Sequence, residues 1–368
     1  MTASAMSPTT VERLAEVAVA AAAEDPAPLR PAVFTDLLAA VGAQRESAPI
    51  ERALSGSSGP GVLAFRLAAR MHARTQDDFL PAGRIHLGAV VLPAVLARGS
   101  GDVAPAVSAG FGVMAMVAET YGAEAQRRGL RPTGVFGPFG AAAGAAVAAD
   151  LDDDSIAASL AIASTAAAGT TQAWIDGGSE WLTQVGAAAR AGVEAAMLAA
   201  EGLPTARRAL DGVAGFSAAM FGDEGSRRLE ERLRSGGPFV PAPALKRHPV
   251  SGIAQTAVAA SAEAGRGTRA SPDRLVVAMH PNELDYPGTR NTGPFLSRSS
   301  SLMSIARCAA LGFRDGGVGY GAIAAANSSG RRRVCSARNS RTRSLVHPAR
   351  TRAPACSGAR TTTAWQPF

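Results

Sequence analysis

Three nearly uncharged stretches, LGAVVLPAVLA (87–97), GPFGAAAGAAVAA (137–149) and GAAARAGVEAAMLAA (186–200), consist mostly of alanine, glycine and short aliphatic residues. Alanine is the strongest helix former and loses no side-chain entropy on folding. Runs of this kind restrict the chain to helices that pack closely at small residues. Hydrophobic residues make up 47% of the chain and aromatics only 5%, so a sizeable helical core is expected.

A pass along the chain predicts helices at 11–24, 30–43, 62–74, 87–97, 102–128 and 186–201. Thr10 caps the first of these, and Pro26 and Pro28 stop it. The 87–97 helix is apolar enough to be buried on every side. Asp152, Asp153 and Asp154 precede another helix and complement its dipole. Residues 44–60 are polar and rich in Gly and Ser, and read as a loop. The uncharged window 155–175 has the length to span a bilayer. Its Ala, Ser, Thr and Gly content instead fits a buried helix, and no membrane partner is expected. Near Gly236 the character changes, and Pro238, Pro241 and Pro243 mark a junction. Beyond it come a helix at 252–264, a β-branched strand at 274–280 (RLVVAMH), a helix at 301–313 and a weaker one at 317–327. The expected fold class is mainly α: an all-helical domain at 1–240, then a smaller, incomplete α/β lid domain at 241–327.

Residues 328–368 form an Arg-rich tail without an amphipathic stripe. The tail holds nine arginines and no acid, whereas the whole chain carries +7. The remainder is therefore slightly acidic, and the basic pI is not a nucleic-acid footprint. Two readings of the tail stand side by side. It is a disordered basic segment, or an out-of-frame product of a GC-rich gene, in keeping with Lys246 being the only lysine. Cys308, Cys335 and Cys356 make no disulfide framework or zinc knuckle. MTASAMSPTTVERLAEV lacks the basic start and apolar core of a signal peptide. A cytoplasmic location follows as the expectation.

Four constellations carry polar chemistry. Asp77, Asp78, Arg84 and His86 lie in DDFLPAGRIH, at the mouth of the apolar 87–97 helix. They suit an acid/base histidine with an arginine anchor, and equally a helix cap with a solvated arginine. RPTGVFGPFG (131–140) offers glycines that open backbone N–H groups to an anion, or that let helices pack closely. Arg131 at its start is an anion contact. Lys246, Arg247 and His248 stand in a row at the junction, where ligands commonly bind. Tyr286 sits in a turn between Asp285 and Pro287. No nucleophile elbow, P-loop or metal-ligand spacing occurs, so neither metal nor cofactor is implied.

In order, QDDFLPAGRIHLGAVVLPAVLA (76–97), RGLRPTGVFGPFGAAAGAA (128–146), TQVGAAARAGVEAAMLAAEG (183–202), LKRHPVSGIAQT (245–256), DYPGTRNTGPFLS (285–297) and LMSIARCAALGFRDG (302–316) resemble the MmgE/PrpD family, which includes 2-methylcitrate dehydratases and cis-aconitate decarboxylases. The resemblance covers roughly residues 10–327. It implies a helical domain with an α/β lid, a homodimer, no metal or organic cofactor, and a small di- or tricarboxylate substrate that loses water or carbon dioxide. His86 matches the histidine of the family's HPGA segment, and Lys246 its lid lysine. Arg131 stands where the family has a histidine. The implied roles are acid/base chemistry at His86, with Asp77 or Asp78 orienting it. Arg84, Arg131, Lys246, Arg247 and His248 hold the substrate. A second reading is a relative that has lost catalysis and only binds or dimerises.

Overall fold

The computed structural model describes residues 7–99, 102–268, 272, 274–324 and 345–348. Helices α1 (Thr10–Ala23), α2 (Arg30–Gly42), α3 (Gln44–Ala53) and α4 (Pro60–His72) lead into a loop that carries Asp77, Asp78 and His86. Then follow α5 (Gly88–Arg98), α6 (Val103–Arg127), α7 (Pro132–Ala148), α8 (Asp153–Ser164), α9 (Gln172–Asp176) and α10 (Trp181–Ala200). After α11 (Phe216–Phe221) and α12 (Asp223–Arg234) comes an irregular stretch holding Lys246, then α13 (Ala254–Gly265). The chain continues through β1 (Val276–Met279), α14 (Pro281–Leu284), α15 (Arg298–Met303), α16 (Ile305–Asp315) and α17 (Tyr320–Ala324). The fold is mainly α.

The small-residue pattern acts at the centre. α7 packs against α6, α10 and α5, and residues 131–146 are all buried. A Cβ on Gly110 of α6 would lie 2.7 Å from the Gly140 carbonyl, and one on Gly140 would lie 2.8 Å from the Gly110 carbonyl. The two backbones touch there, which only glycine permits. α10 crosses α7 in the same way at Gly192, whose Cβ would meet the backbone of Ala141 and Ala142 at 2.5 Å. The glycines of RPTGVFGPFG therefore lie in a helix interior and serve close packing; they do not form an anion-binding loop.

Several boundaries differ from expectation for local reasons. α1 is capped by Thr9 rather than Thr10, through a reciprocal box with Glu12. Residues 44–53, expected as loop, are helical. Ser47 turns its hydroxyl back onto the Ala43 carbonyl at 3.1 Å, and Ile50 packs against a second apolar cluster. The 155–175 window is not one helix: it breaks after α8, and α9 restarts at Gln172. The 301–313 helix is divided at Ser304, which caps α16 by accepting from the Arg307 amide at 3.1 Å. Among the described residues one helix, α6, is long and apolar enough to cross a membrane, and 72% of its apolar window is buried inside the protein.

A second apolar cluster joins Trp174, Trp181 and Leu182 of the helical region to Val250, Val258, Leu284, Leu302 and Ile305 further along the chain. β1 falls within the expected strand and pairs in parallel with β2 (Leu345–Pro348), Val276 opposite Leu345. Apart from those four residues, the Arg-rich tail lies outside the described residues.

Candidate active site

The site forms where two loops are tied together. The Phe79 amide donates to the Ala244 carbonyl at 3.0 Å, and the Ala244 amide donates back at 2.8 Å. This two-bond bridge carries Lys246 to Asp77, 169 residues earlier in sequence. Lys246 Nζ lies 2.8 Å from Asp77 Oδ1, with the side chains 1% and 0% exposed. Asp77 Oδ2 accepts from Nδ1 of His72, the last residue of α4, at 2.6 Å. Arg131, the N-cap residue of α7, reaches the opposite ring nitrogen: its guanidinium lies 2.7 Å from His72 Nε2 and also donates to the Trp181 carbonyl at 2.7 Å.

These contacts fix the proton positions. A guanidinium only donates, so His72 Nε2 carries the lone pair and Nδ1 carries the proton. Burial pushes His72 down to about 3, with His86 and Arg131 adding to the effect against Asp77. His72 is therefore neutral at physiological pH. Burial opposes the charge on Asp77, but His72, Lys246 and His86 outweigh it and hold the carboxyl well below its ordinary range. Burial lowers Arg131 to about 10, which leaves it charged.

His86 sits at the edge of this cluster, its side chain 19% exposed and its ring 4.5 Å from that of His72. Its Nδ1 is 2.7 Å from the Asp78 carbonyl, which only accepts, so Nδ1 bears the proton. Asp77 Oδ2 and Lys246 Nζ each lie 3.2 Å from that nitrogen. Burial and then Lys246 lower the basicity of His86, against the pull of Asp77. Nε2 is left as an available lone pair, with no protein partner among the described residues.

Asp78 turns its carboxylate away from His86. Oδ1 accepts from the Gly88 amide at 3.1 Å, at the start of α5, while the Asp78 amide donates to Asp36 Oδ1 at 2.7 Å. Both carboxyls are fully buried, and the second oxygen of each has no partner among the described residues. Burial, then Asp77, raises Asp78 to about 7; burial, then Asp78, raises Asp36 well above its ordinary range. The pair buttresses the loop beneath His86.

Of the residues singled out from sequence, His86, Asp77, Lys246 and Arg131 meet in one cluster, and Asp78 joins through its carbonyl. Arg84 does not: it turns to Gln126. Arg247 is exposed. His248 is buried apart from the cluster, where its Nδ1 accepts from the Val318 amide at 3.3 Å. Sequence reading missed His72, Trp181 and Asp36. His72 had a signal, as one of five histidines and five residues before Asp77. Asp36 had a weaker one, as the lone acid in the apolar VFTDLLAAVG. Trp181 had none.

His72, Asp77 and His86 place ligand-type atoms within 4.8 Å of one another. The cluster does not suit a divalent cation, because Lys246 and His72 already occupy the Asp77 oxygens and the Lys246 and Arg131 cations stand against it.

The sequence has no significant match among the curated proteins. The model of the MmgE/PrpD N-terminal domain matches residues 16–228, more than half of the chain, and that span contains every cluster residue except Lys246. The fold, the loop at 76–86 and this match together establish that the chain belongs to the MmgE/PrpD family.

Proposed function

We propose that this member of a dehydratase-like family is a carbon–oxygen lyase that removes water from a small di- or tricarboxylate without a metal. The observation that carries this reading is His86: burial lowers its basicity, its proton is pinned at Nδ1 by the Asp78 carbonyl, its Nε2 is unshared, and the Lys246 ammonium lies 3.2 Å from Nδ1. Nε2 takes the proton from the carbon beside a carboxylate. The Lys246 ammonium stabilises the enediolate charge that develops there. The C–O bond then breaks as the double bond forms, and the imidazolium returns its proton to the departing hydroxyl, which leaves as water. Asp77 holds Lys246 and His72 in place, and Arg131 keeps His72 in the tautomer that faces Asp77.

A second reading, a relative that only binds or dimerises, is favoured by one observation. Lys246 and Arg131 are almost wholly buried and engaged with protein partners, so the cluster resembles a closed structural network. Ultraviolet absorbance of the new conjugated double bond, followed for hydroxylated di- and tricarboxylates, separates the two. The lyase reading expects turnover of at least one acid, reduced about 10²- to 10⁴-fold by His86→Ala with little change in melting temperature. Binding without turnover supports the second reading.

The proposal includes a homodimer in the cytoplasm. α2 presents Phe34, Leu37, Leu38 and Val41 to solvent, with exposures of 64%, 40%, 55% and 70% in that order. The i, i+3, i+4, i+7 spacing makes one apolar stripe of the kind that marks an interface. Sedimentation of the purified chain should show a dimer that Val41→Glu dissociates.

A further inference from the structure

A cleft of about 670 Å³ opens between the C-terminal end of α6, the turn at 81–84 and the 282–287 segment. That volume is of the size that holds small ligands. None of His72, Asp77, His86, Lys246 or Arg131 lines it. Its wall instead carries Arg84 and Arg127, with Thr171, Gln172 and Asn282 as neutral hydrogen-bonding groups.

The charges in this cleft are not balanced as they are in the His86 cluster. The partner of Arg84 is the neutral carbonyl oxygen of Gln126. Arg127 makes no ion pair among the described residues, and the two arginines are close enough to repel. Glu283 lies within electrostatic reach of Arg84 without forming an ion pair with it. Asp285, on the same wall, pairs with Arg290 at 2.9 Å. An oxyanion between the two guanidiniums would relieve this excess, and the guanidinium fork suits bidentate binding of a carboxylate or phosphate.

The backbone supplies an independent observation. Arg84 has φ +57°, in the left-handed region that favours glycine. It closes a tight turn, its amide donating to the Pro81 carbonyl at 3.2 Å between the paired residues Leu80 and Ile85. Strain of this kind persists where the surroundings hold it, and it clusters at ligand-binding sites. Here it aims a half-buried guanidinium along the cleft wall.

We propose that the cleft is a second binding site, separate from the His86 cluster, for a small hydroxylated oxyanion held by Arg84 and Arg127. The oxyanion is a carboxylate or a phosphate, and the amide and threonine groups accept and donate to its hydroxyls. The site stands whether or not His86 is catalytic.

Calorimetric titration at low ionic strength tests this, with citrate and inorganic phosphate as separate probes of the two sources. At least one probe should bind the wild-type chain. Arg84→Ala and Arg127→Ala should each weaken it at least about 10-fold, as expected for a lost charge-assisted hydrogen bond. Arg190→Ala, at an exposed ion pair outside the cleft, should leave the affinity unchanged. Arg84→Gly is the fold-safe control, since it relieves the left-handed backbone and should still abolish tight binding. Failure of both probes to bind would overturn the proposal. So would affinity lost in His86→Ala but kept in Arg84→Ala, an outcome that places the anion at the His86 cluster and leaves the lyase reading intact.

Discussion

The helical core around α7 is sealed from water and the polar cluster at its edge is mostly so, yet they are held together in opposite ways. In the core, Gly110, Gly140 and Gly192 let backbones touch, and almost every contact is between apolar atoms that require no particular partner. In the cluster, Lys246, Asp77, His72 and Arg131 form a chain in which each group satisfies the next. The core resists any added volume. The cluster resists any lost partner. The difference is chemical: an apolar contact can be replaced by any shape that fits, whereas a buried charge requires its counter-charge.

The sharpest break in this comparison is Asp77→Ala. It strands the Lys246 ammonium in a site that is 1% exposed, and should cost about 3–5 kcal/mol in chemical unfolding. Asp77→Leu combined with Lys246→Met removes both charges and should cost less than Asp77→Ala alone. Equal or greater loss in the double variant would mean that the pair is not the unit of stability. Next is Gly192→Val in the core. Its added atoms meet backbone at 2.5 Å on α7, and overpacking of this kind costs about 3 kcal/mol. If Gly192→Val melts at the wild-type temperature, α10 can slide on α7 and the close contact is not a constraint.

A smaller effect sharpens the comparison through pH. Burial and Asp77 raise Asp78 from an ordinary 3.8 to about 7. Between those values the folded chain keeps a proton that the unfolded chain has lost. The folded state then binds more protons, so this group's contribution to stability falls as pH rises. His72 works in the other direction: its fall from 6.5 to about 3 makes the unfolded chain the better proton binder, and stability is lost as pH drops through that window. The melting temperature of Asp78→Asn should therefore gain on that of the wild type as pH rises from 3.8 to about 7. Parallel curves would show that Asp78 is ionised throughout. The smallest effect is expected at the surface. Arg227 pairs with Glu224 and Glu231 on the exposed surface, where water and salt screen the attraction. Arg227→Ala should leave the melting temperature essentially where it was.

Elements whose cause is local are legible in the chain itself. Alanine propensity and apolar spacing account for α1, α2, α4, α5, α6 and α10 to within a few residues, because each helix is stabilised by its own composition and buried face. The strand at 276–279 is legible for the same reason, from its β-branched residues. The motif at 77–86 is legible as a polar loop at a helix mouth, and Lys246 as an isolated lysine. What these residues do depends on the folded arrangement. Nothing local tells that Lys246 meets Asp77, since the Phe79–Ala244 bridge makes that contact across the length of the helical region. Nothing local separates His86 from Arg84, two residues apart, of which one joins the cluster and the other lines a different cleft. His72 becomes central only because the end of α4 brings it between Asp77 and Arg131. Helix formation is a short-range property of the chain, but the charge state of a buried group depends on neighbours that only folding supplies.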